Sequence, residues 1–371
     1  MNKPTLFLLS LLLLASCGRE DLIVPAEEEH VGVPTDSIAG DSLQRGGIKG
    51  FYLLNEGNMG SNKATLDYYE YGTATYTRNI YGTANPSMVQ ELGDVGNDLK
   101  IYGGRLYAVI NCSNLVEVMD AATARHIGVI NCPNCRYLTF KDGYGYLTSY
   151  MGYVAKFDTT TLQIVDTCHV GAQPDELEVV GNKLYVANSG GYMVPNYENT
   201  LSVIDLTTFT ELKRIVVVNN LHRVRKDRYN QLWVTSRGDY YQQRAKLYCL
   251  NTEDDTLIDS VDIAVSGCWL DGDSLYLYGT EFNYLTMTSE VTYGIVNVAS
   301  HNLLTRQFIS DATVNITVPY GIMVHPVTKD IYLTDVKDYV SPGTLWCLNK
   351  DGRAKWSVRT GDIPAHFALR R

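Results

Sequence analysis

One strand pattern recurs seven times in this chain of 371 residues, and it limits the possible folds more than any other feature. Each copy is a short apolar segment, such as "RLYAVIN" (105–111) or "KLYVANS" (183–189), with an aromatic side chain at one fixed position. The copies lie 39 to 56 residues apart, with their aromatic residues at Tyr52, Tyr107, Tyr146, Tyr185, Trp233, Tyr276 and Tyr332. A repeat of this length, without any long helical period, indicates an all-β repeat architecture.

Three further strands accompany each aromatic strand. One tends to end in Asp or Asn, as in "VEVMD" (116–120) and "LSVID" (201–205). Another follows after a short turn, and the last precedes the aromatic strand, as in "DELEVV" (175–180). Four short antiparallel strands per repeat of about 46 residues are typical of a β-propeller blade. The sequence therefore predicts an all-β fold, a seven-bladed β-propeller over residues 49–371.

The two ends of the chain are predicted to share one blade. The first aromatic strand begins at Phe51, and no inner strand precedes it. The last segment, "GDIPAHFALRR" (361–371), is similar to "GAQPDELEVV" (171–180), which leads into an inner strand. We therefore expect the C-terminal segment to supply the missing strand and to close the ring, which leaves no open sheet edge.

The first 48 residues have a different composition. Residues 1–17 combine a basic start at Lys3, a short apolar run and Cys17 within "LLASC", an order that is typical of a secretory signal peptide and resembles the bacterial lipobox. We expect Cys17 to carry lipid, and residues 18–48, which are rich in acid, Pro and Gly, to form a flexible acidic tether. The predicted location is the cell surface, with the protein anchored to the outer membrane by lipid.

Charge and cysteine usage narrow the range of functions. The net charge of −10 argues against nucleic-acid binding, which needs clustered Lys and Arg. Among the eight cysteines, Cys132 and Cys135 form a CxxC motif, but no second pair follows at a zinc spacing. We expect no metal site, and cysteines that are buried or that staple loops. The exported location would permit a disulfide, and the pairing stays open.

The unusual residues concentrate in two sets of loops. In a propeller blade the innermost strand is followed by the aromatic strand, so the loops that enter the first and leave the second open on one face. Loops of that face, such as "SRGDYYQQRA" (236–245), are rich in Tyr, Asn, Met, Arg and acids, whereas turns of the other face, such as "DTTT" (158–161), are short and plain. This asymmetry predicts a binding face.

The predicted ligand-binding residues all lie in the loops of that face. They are Asn55, Glu56, Asn58, Met59, Asn111, Asn114, Tyr150, Asn188, Tyr192, Tyr197, Arg237, Asp239, Tyr240, Tyr241, Glu281, Phe282, Tyr284, Asp335, Lys337 and Tyr339. For the Asn residues at strand ends, the alternative is that they satisfy backbone groups or hold turns. The Arg-Gly-Asp at 237–239 is interpreted as a local turn, with Gly238 permitting it, and not as an adhesion signal.

The sequence lacks the motifs of common enzymes. It has no GxSxG elbow, no HExxH, no P-loop and no dinucleotide fingerprint. We therefore expect a protein that is not an enzyme and has no cofactor. One alternative is a channel-centred lactonase or lyase, whose calcium ion would be bound by Glu56, Asn111, Asn188 and Asp335.

Several long segments resemble one known family. The segments at 55–69, 91–121, 173–206 and 232–241, which include "NEGNMGSNK", "ELGDVGNDLK", "VANSGGYMVPNYENT" and "LWVTSRGDYY", are similar to YncE-like propellers, the surface lipoproteins of gut Bacteroidota. The resemblance covers essentially all of residues 48–371. Within this group, the chain resembles the BtuG-type proteins.

The resemblance implies a function. BtuG-type proteins capture vitamin B12 and other corrinoids at the cell surface and pass them to a TonB-dependent outer-membrane transporter. The implied partners are thus that transporter and a corrinoid, with cobalamin as the transported ligand. Tyr and Met side chains suit the apolar rim of a corrinoid, and Asn, Ser, Arg and Asp suit its amides. The main alternative is a propeller that binds glycans or another surface protein.

Overall fold

The computed structural model describes residues 26–32, 47–88 and 91–371 of the chain. Within these ranges it has 29 β-strands and one short helix, α1 (Ile80–Ala84). The strands form seven antiparallel sheets, which are the blades of a seven-bladed β-propeller, as the sequence predicted. Cys17 and most of the predicted tether lie outside the described residues, so the lipidation prediction is not addressed by the structure.

Blade 1 combines both ends of the described chain. It contains β1 (Glu27–His30), β2 (Gly50–Asn55), β3 (Thr65–Glu70), β4 (Thr75–Arg78) and, as its innermost strand, β29 (Pro364–Arg370).

The other six blades each use four consecutive strands, which run from the central axis outwards. Blade 2 contains β5 (Gly96–Tyr102), β6 (Arg105–Ile110), β7 (Leu115–Asp120) and β8 (His126–Asn131). Blade 3 contains β9 (Cys135–Lys141), β10 (Tyr144–Ser149), β11 (Tyr153–Asp158) and β12 (Ile164–His169). Blade 4 contains β13 (Pro174–Val180), β14 (Lys183–Asn188), β15 (Thr200–Asp205) and β16 (Thr210–Val216).

Blades 5 to 7 follow the same plan. Blade 5 contains β17 (Leu221–Lys226), β18 (Gln231–Ser236), β19 (Lys246–Asn251) and β20 (Thr256–Val261). Blade 6 contains β21 (Gly267–Asp271), β22 (Ser274–Asn283), β23 (Thr288–Asn297) and β24 (Leu303–Thr305). Blade 7 contains β25 (Pro319–Val324), β26 (Ile331–Asp335), β27 (Thr344–Leu348) and β28 (Ala354–Arg359).

The ring is closed by the C-terminal strand, as predicted. β29 pairs antiparallel with β2, with Leu53 opposite Phe367, and it also contacts β25 of blade 7 and β5 of blade 2. Each end of the described propeller is therefore held by the other, and the innermost strands form an uninterrupted circle around the axis.

One part of the predicted tether belongs to the propeller. β1 lies within residues 18–48 and pairs antiparallel with β4, with Glu27 opposite Arg78. The next residue, Val31, is buried, and its carbonyl accepts a hydrogen bond from the Tyr69 hydroxyl. The sequence did not indicate this strand, because it is acidic and all four of its side chains are exposed on an outer edge. No helix in the described ranges is long and apolar enough to cross a membrane.

The repeated aromatic residues pack between neighbouring blades. Six of the seven are buried, and Tyr276 is half-buried. Some also bind the next blade through a polar atom: the Tyr52 hydroxyl donates to the Ala121 carbonyl at 3.0 Å, and the Tyr185 hydroxyl donates to Asp255. The repeated aromatic position in the sequence therefore reflects the packing of each blade against the next.

The seven described cysteines are unpaired thiols, six of them buried. Cys132 and Cys135, the CxxC pair, pack with Val116 and Leu147 in the core between blades 2 and 3. Burial raises the pKa of both thiols, so they are poor nucleophiles at neutral pH. The interpretation that the cysteines are buried is therefore correct for six of these seven, and none of the seven joins two loops by a disulfide.

Candidate ligand-binding site

A cavity of ≈ 450 Å³ lies on the central axis. It opens on the face where loops enter the first strand and leave the second strand of each blade, which is the face predicted to bind. Six of the seven blades contribute to its wall. The polar lining residues are Glu56, Asn97, Arg136, Tyr137, His222, Arg223, Arg237, Tyr240, Ser266, Tyr278, Thr280, Glu281, Tyr320 and Tyr339.

Five predicted ligand residues line this cavity, and a sixth lies beside it. The five are Glu56, Arg237, Tyr240, Glu281 and Tyr339. Phe282 lines an adjoining cavity of ≈ 260 Å³ that shares Glu281 and Tyr339 with the first. These residues come from blades 1, 5, 6 and 7, which the fold brings together at the axis.

Four predicted ligand residues are instead buried parts of the blades and do not line the cavity. The Asn55 and Asn188 amides donate to Thr65 (3.0 Å) and Thr200 (2.9 Å) on the adjacent strands. Asn111 donates to the Cys135 carbonyl at 2.8 Å. Asp335 is equally buried and accepts the backbone N–H groups of Val318, before β25, and of Lys337, in its own loop. The alternative interpretation, that these residues hold strand ends, fits their contacts.

The calcium-centred alternative depended on the same residues. Of its four proposed ligands, only Glu56 lines the cavity, because Asn111, Asn188 and Asp335 are each committed to bonds within the propeller wall. The side chains named for a lactonase-type calcium site therefore do not converge on the axis.

Four more predicted ligand residues hold loops of the binding face through hydrogen bonds. Asp239 accepts the backbone N–H groups of residues 241, 242 and 243, each at 2.8 Å. The carbonyl of Asn58 and the side chain of Asn114 accept bonds from Ser61 and Asn134. Lys337 donates to the Pro342 carbonyl at 2.8 Å. These residues hold loops of the binding face and do not line the central cavity.

The predicted loop aromatics form a continuous group that starts at the cavity, here called the aromatic rim (Tyr197, Tyr240, Tyr241, Phe282 and Tyr284). Ring centroids of Tyr240 lie 6.3 Å from those of Tyr197 and Tyr284, and Tyr241 stacks on Tyr284 at 5.4 Å. Phe282 lies 4.8 Å from Tyr284. The exposed rings have no core to enter, so they present apolar surface to the solvent beside the cavity.

Three remaining predicted residues lie in other loops of the same face. The Tyr192 ring, which is 74% exposed, lies 5.3 Å from Tyr150. Tyr150 in turn stacks on the Arg136 guanidinium at 4.2 Å and donates to Asp175 at 2.8 Å. Met59, at 81% exposed, is among the most exposed large apolar side chains described.

Sequence reasoning missed the arginine cluster of the cavity, formed by Arg136 and Arg223 together with the predicted Arg237. Arg237 Nη1 contacts Asp175 Oδ2 at 3.0 Å, and Arg136 Nε lies 3.7 Å from the other oxygen of that carboxylate. Arg223 lies over the Tyr137 ring at 5.0 Å. The three guanidinium groups come from blades 3 and 5 and face one part of the cavity.

A signal for these arginines was present in the inner-strand segments "CRYLTF" (135–140) and "HRVRKD" (222–227). An inner strand of a propeller borders the axis, and charged residues are costly there unless they are paired or face a polar channel. Basic residues within inner strands were therefore candidates for the axis, although the sequence does not show which of them converge.

The cluster makes this side of the cavity strongly positive. The pKa of His222 lies well below its ordinary value because the ring is buried and because Arg237, Arg223 and Arg136 are close. Burial alone would raise the pKa of Glu176, but Arg225 and Arg223 outweigh it and lower that pKa to about 2. His222 is therefore neutral and Glu176 ionised at neutral pH.

The cavity wall also carries two carboxylates that already have partners. Glu56 accepts from the Tyr320 hydroxyl at 3.0 Å and contacts His366 at 2.9 Å. Glu281 accepts the backbone N–H of Ala245 at 2.9 Å and also binds Arg244. The cavity thus carries ionisable groups of both signs, and Arg136 and Arg223 make only long carboxylate contacts, at 3.7 and 3.8 Å.

This fold and cavity define the class of the molecule: a seven-bladed β-propeller with a polar, ligand-sized cavity on its axis. The chain belongs to the family described as a domain of unknown function (DUF5074), whose model matches residues 49–344. Comparison with curated proteins found no match. The narrower resemblance to YncE-like and BtuG-type proteins stays a prediction.

Solved structures similar to this chain include two natural proteins and a designed one. Hydrazine synthase from Kuenenia stuttgartiensis is 14% identical with a TM-score of 0.62, over 74% of this chain and 89% of that one. A quinonprotein alcohol dehydrogenase-like protein from Bacteroides thetaiotaomicron is 15% identical with a TM-score of 0.61, over 87% and 78%. The computationally designed Ika8 protein is 10% identical with a TM-score of 0.54, over 85% and 89%. At these identities the likeness concerns the fold alone.

Proposed function

We propose that this propeller is a binding protein that captures a cobalamin-type corrinoid on its cavity face and passes it to a TonB-dependent outer-membrane transporter. The observation that carries the proposal is the aromatic rim beside a polar axial cavity. A corrinoid has an apolar edge, peripheral amides and a nucleotide tail. Exposed tyrosine rings suit the edge, and the polar lining of the cavity suits the amides and the tail.

The relative sizes favour a divided binding mode. A corrinoid is larger than the central cavity, so one end of it would enter while the rim held the remainder. The rim residues are carried by loops that the blades fix at both ends, and Asp239 holds one of these loops through three backbone N–H groups. Such preorganisation lowers the entropy cost of binding.

The handover to a transporter rests on the predicted lipid anchor and on the resemblance to BtuG-type proteins. We propose no catalytic role, since the cavity carboxylates Glu56 and Glu281 are both engaged by neighbouring groups of the protein.

The test is a calorimetric titration of the purified protein with cyanocobalamin. We expect saturable binding at one site, and a loss of affinity of about tenfold or more in Tyr241→Ala, because its ring stacks on Tyr284 and is exposed at the rim. Tyr229→Ala is the matched control: that ring is 43% exposed against 42% for Tyr241, but it lies in a turn of the opposite face. Absence of cyanocobalamin binding at micromolar protein would remove the corrinoid proposal.

A second candidate function is the capture of glycans, and the stacked Tyr241–Tyr284 pair favours it. Rings 5.4 Å apart and 28° from parallel present a flat apolar surface, which also suits the face of a sugar ring. Binding of soluble oligosaccharides that is lost in Tyr241→Ala, together with no binding of cyanocobalamin, would support this candidate over the first.

A further inference from the structure

Two arginine side chains in the cavity have guanidinium groups without a hydrogen-bond partner in the described parts of the chain. The side chains of Arg136 and Arg223 are only 17% and 14% exposed. Their carboxylate contacts are long, at 3.7 Å from Arg136 Nε to Asp175 and 3.8 Å from Arg223 Nη1 to Glu176. The Nε atom of Arg136 is fully buried and unsatisfied. Each guanidinium offers five N–H donors, and leaving them unmet costs free energy.

The neighbouring carboxylates are already engaged by other groups. Asp175 accepts from Arg237 at 3.0 Å and from the Tyr150 hydroxyl at 2.8 Å. Glu176 forms a close ion pair with Arg225. Four guanidinium groups, including the two without a hydrogen-bond partner, thus share Asp175 and Glu176 as their ion-pair partners. The shortest contacts of both carboxylates go to Arg237 and Arg225, so the N–H donors of Arg136 and Arg223 stay available.

We propose that Arg136, Arg223 and Arg237 form a subsite for an anionic oxygen group, a phosphate or a carboxylate carried by the ligand. Two largely buried guanidinium groups with free N–H donors are suited to charge-assisted and bidentate bonds with such a group. The rings of Tyr150 and Tyr137 cover one face of Arg136 and of Arg223, at 4.2 and 5.0 Å, and so limit the directions in which these donors can be met. A neutral ligand would offer these donors no charged acceptor.

The subsite stands on the geometry of the arginines, and its assignment within a corrinoid rests on the proposed function. Cobalamin carries one phosphodiester, in its nucleotide tail, and this would be the group that enters the cavity. Cobinamide has the same corrin ring and amides but lacks the phosphodiester, so the two probes separate the tail from the ring.

The first experiment measures thermal unfolding of the purified protein in inorganic phosphate, with sodium chloride at matched ionic strength as the reference. We expect phosphate to raise the Tm of the wild type, and Arg136→Gln/Arg223→Gln to remove this rise. Arg228→Gln is the matched control, because Arg228 is an exposed arginine paired with Asp273 on the opposite face, and it should keep the rise. If the double Gln variant fails to fold, Arg136→Lys/Arg223→Lys keeps the charge, loses the planar fork and should show a smaller rise.

The second experiment compares cyanocobalamin with cobinamide in the same variants by calorimetry. Arg136→Gln/Arg223→Gln should weaken cyanocobalamin binding by about tenfold or more and change cobinamide binding by less than about twofold. A phosphate-dependent Tm rise that survives the substitutions would overturn the subsite. Equal cyanocobalamin affinity in variant and wild type would overturn its assignment to the nucleotide tail. A phosphate effect that depends on both arginines, without binding of either corrinoid, would uphold the subsite and overturn the corrinoid proposal.

Discussion

Glu176 is a buried charge held beside the arginine side of the cavity. Its side chain is 5% exposed and lies against Arg225 and Arg223, so the carboxylate and these two guanidinium groups stabilise one another. An ionised carboxylate is tolerated here because two guanidinium groups replace its lost hydration.

We predict that Glu176→Gln lowers the free energy of unfolding most at neutral pH. Burial would raise the pKa of Glu176, but Arg225 and Arg223 lower it from 4.5 to about 2. A carboxylate with a depressed folded-state pKa stabilises the fold above its unfolded pKa, and this contribution is lost as the pH falls through the folded value. In urea unfolding, the deficit of the variant should therefore shrink between pH 4.5 and about 2.

Glu28→Gln is the control for this comparison, because Glu28 is exposed on β1. It should unfold like the wild type across the same range. A deficit of Glu176→Gln that stayed constant with pH would contradict the prediction.

At the scale of elements, the loop after β18 sets the position of both a cavity arginine and the aromatic rim. Gly238 has a φ of +66°, and a Cβ placed on it would lie 2.0 Å from the Gln243 carbonyl oxygen. Asp239 then caps the turn that carries Tyr240 and Tyr241. The Arg-Gly-Asp tripeptide thus forms a turn, as predicted from Gly238, and its arginine lines the cavity.

We predict that Gly238→Ala weakens cyanocobalamin binding and also lowers the stability of the protein. The added Cβ must push the loop away from Gln243, which moves Arg237 and Tyr240 with it. Gly272→Ala is the matched control, since Gly272 has a similar φ of +60° in a turn of the opposite face and nothing within 4 Å of its Cβ position. It should cost about 1 kcal/mol from backbone strain and leave the affinity unchanged.

The two effects are read by calorimetry and by chemical denaturation of the same samples. If Gly272→Ala reduced cyanocobalamin affinity as much as Gly238→Ala did, the loss would come from general destabilisation. Such a result would contradict a specific role of the Gly238 loop in binding.

At the scale of the whole molecule, the ring depends on the strand shared between its ends. β29 pairs with β2 and contacts blades 2 and 7, so it holds the first blade to both neighbours. Its removal would expose the inner edge of β2 and part of the aromatic core around Phe51. An open edge beside exposed apolar surface favours aggregation over a folded ring.

We predict that deleting residues 364–371 abolishes the cooperative unfolding transition and yields aggregated protein. Removing Arg371 alone, which lies beyond β29 and is exposed, should leave the protein unchanged. Size-exclusion chromatography and thermal circular dichroism check both outcomes. A monomeric truncated chain with a transition like that of the wild type would show that closure by β29 is dispensable.

The sequence by itself determined the number of blades, the closing strand and the face that holds the cavity. These features follow from local patterns: an aromatic residue at a fixed strand position, and plain turns on one face against long loops on the other. Each such signal lies within one repeat, because strand alternation and turn formation depend on residues that are close in sequence. The loop aromatics were predicted for the same reason, since rings outside any strand had no core to enter.

Only the tertiary structure decided which residues meet on the axis. Asn55, Asn111 and Asn188 resembled ligand residues, but they are buried and donate to groups of the propeller wall. Arg136 and Arg223, 87 positions apart, form one positive site because blades 3 and 5 place their inner strands at the same cavity. The sequence did not reveal β1, because all four of its side chains are exposed and its partner β4 lies far along the chain. Such contacts join parts of the chain that are distant in sequence, so no local pattern encodes them.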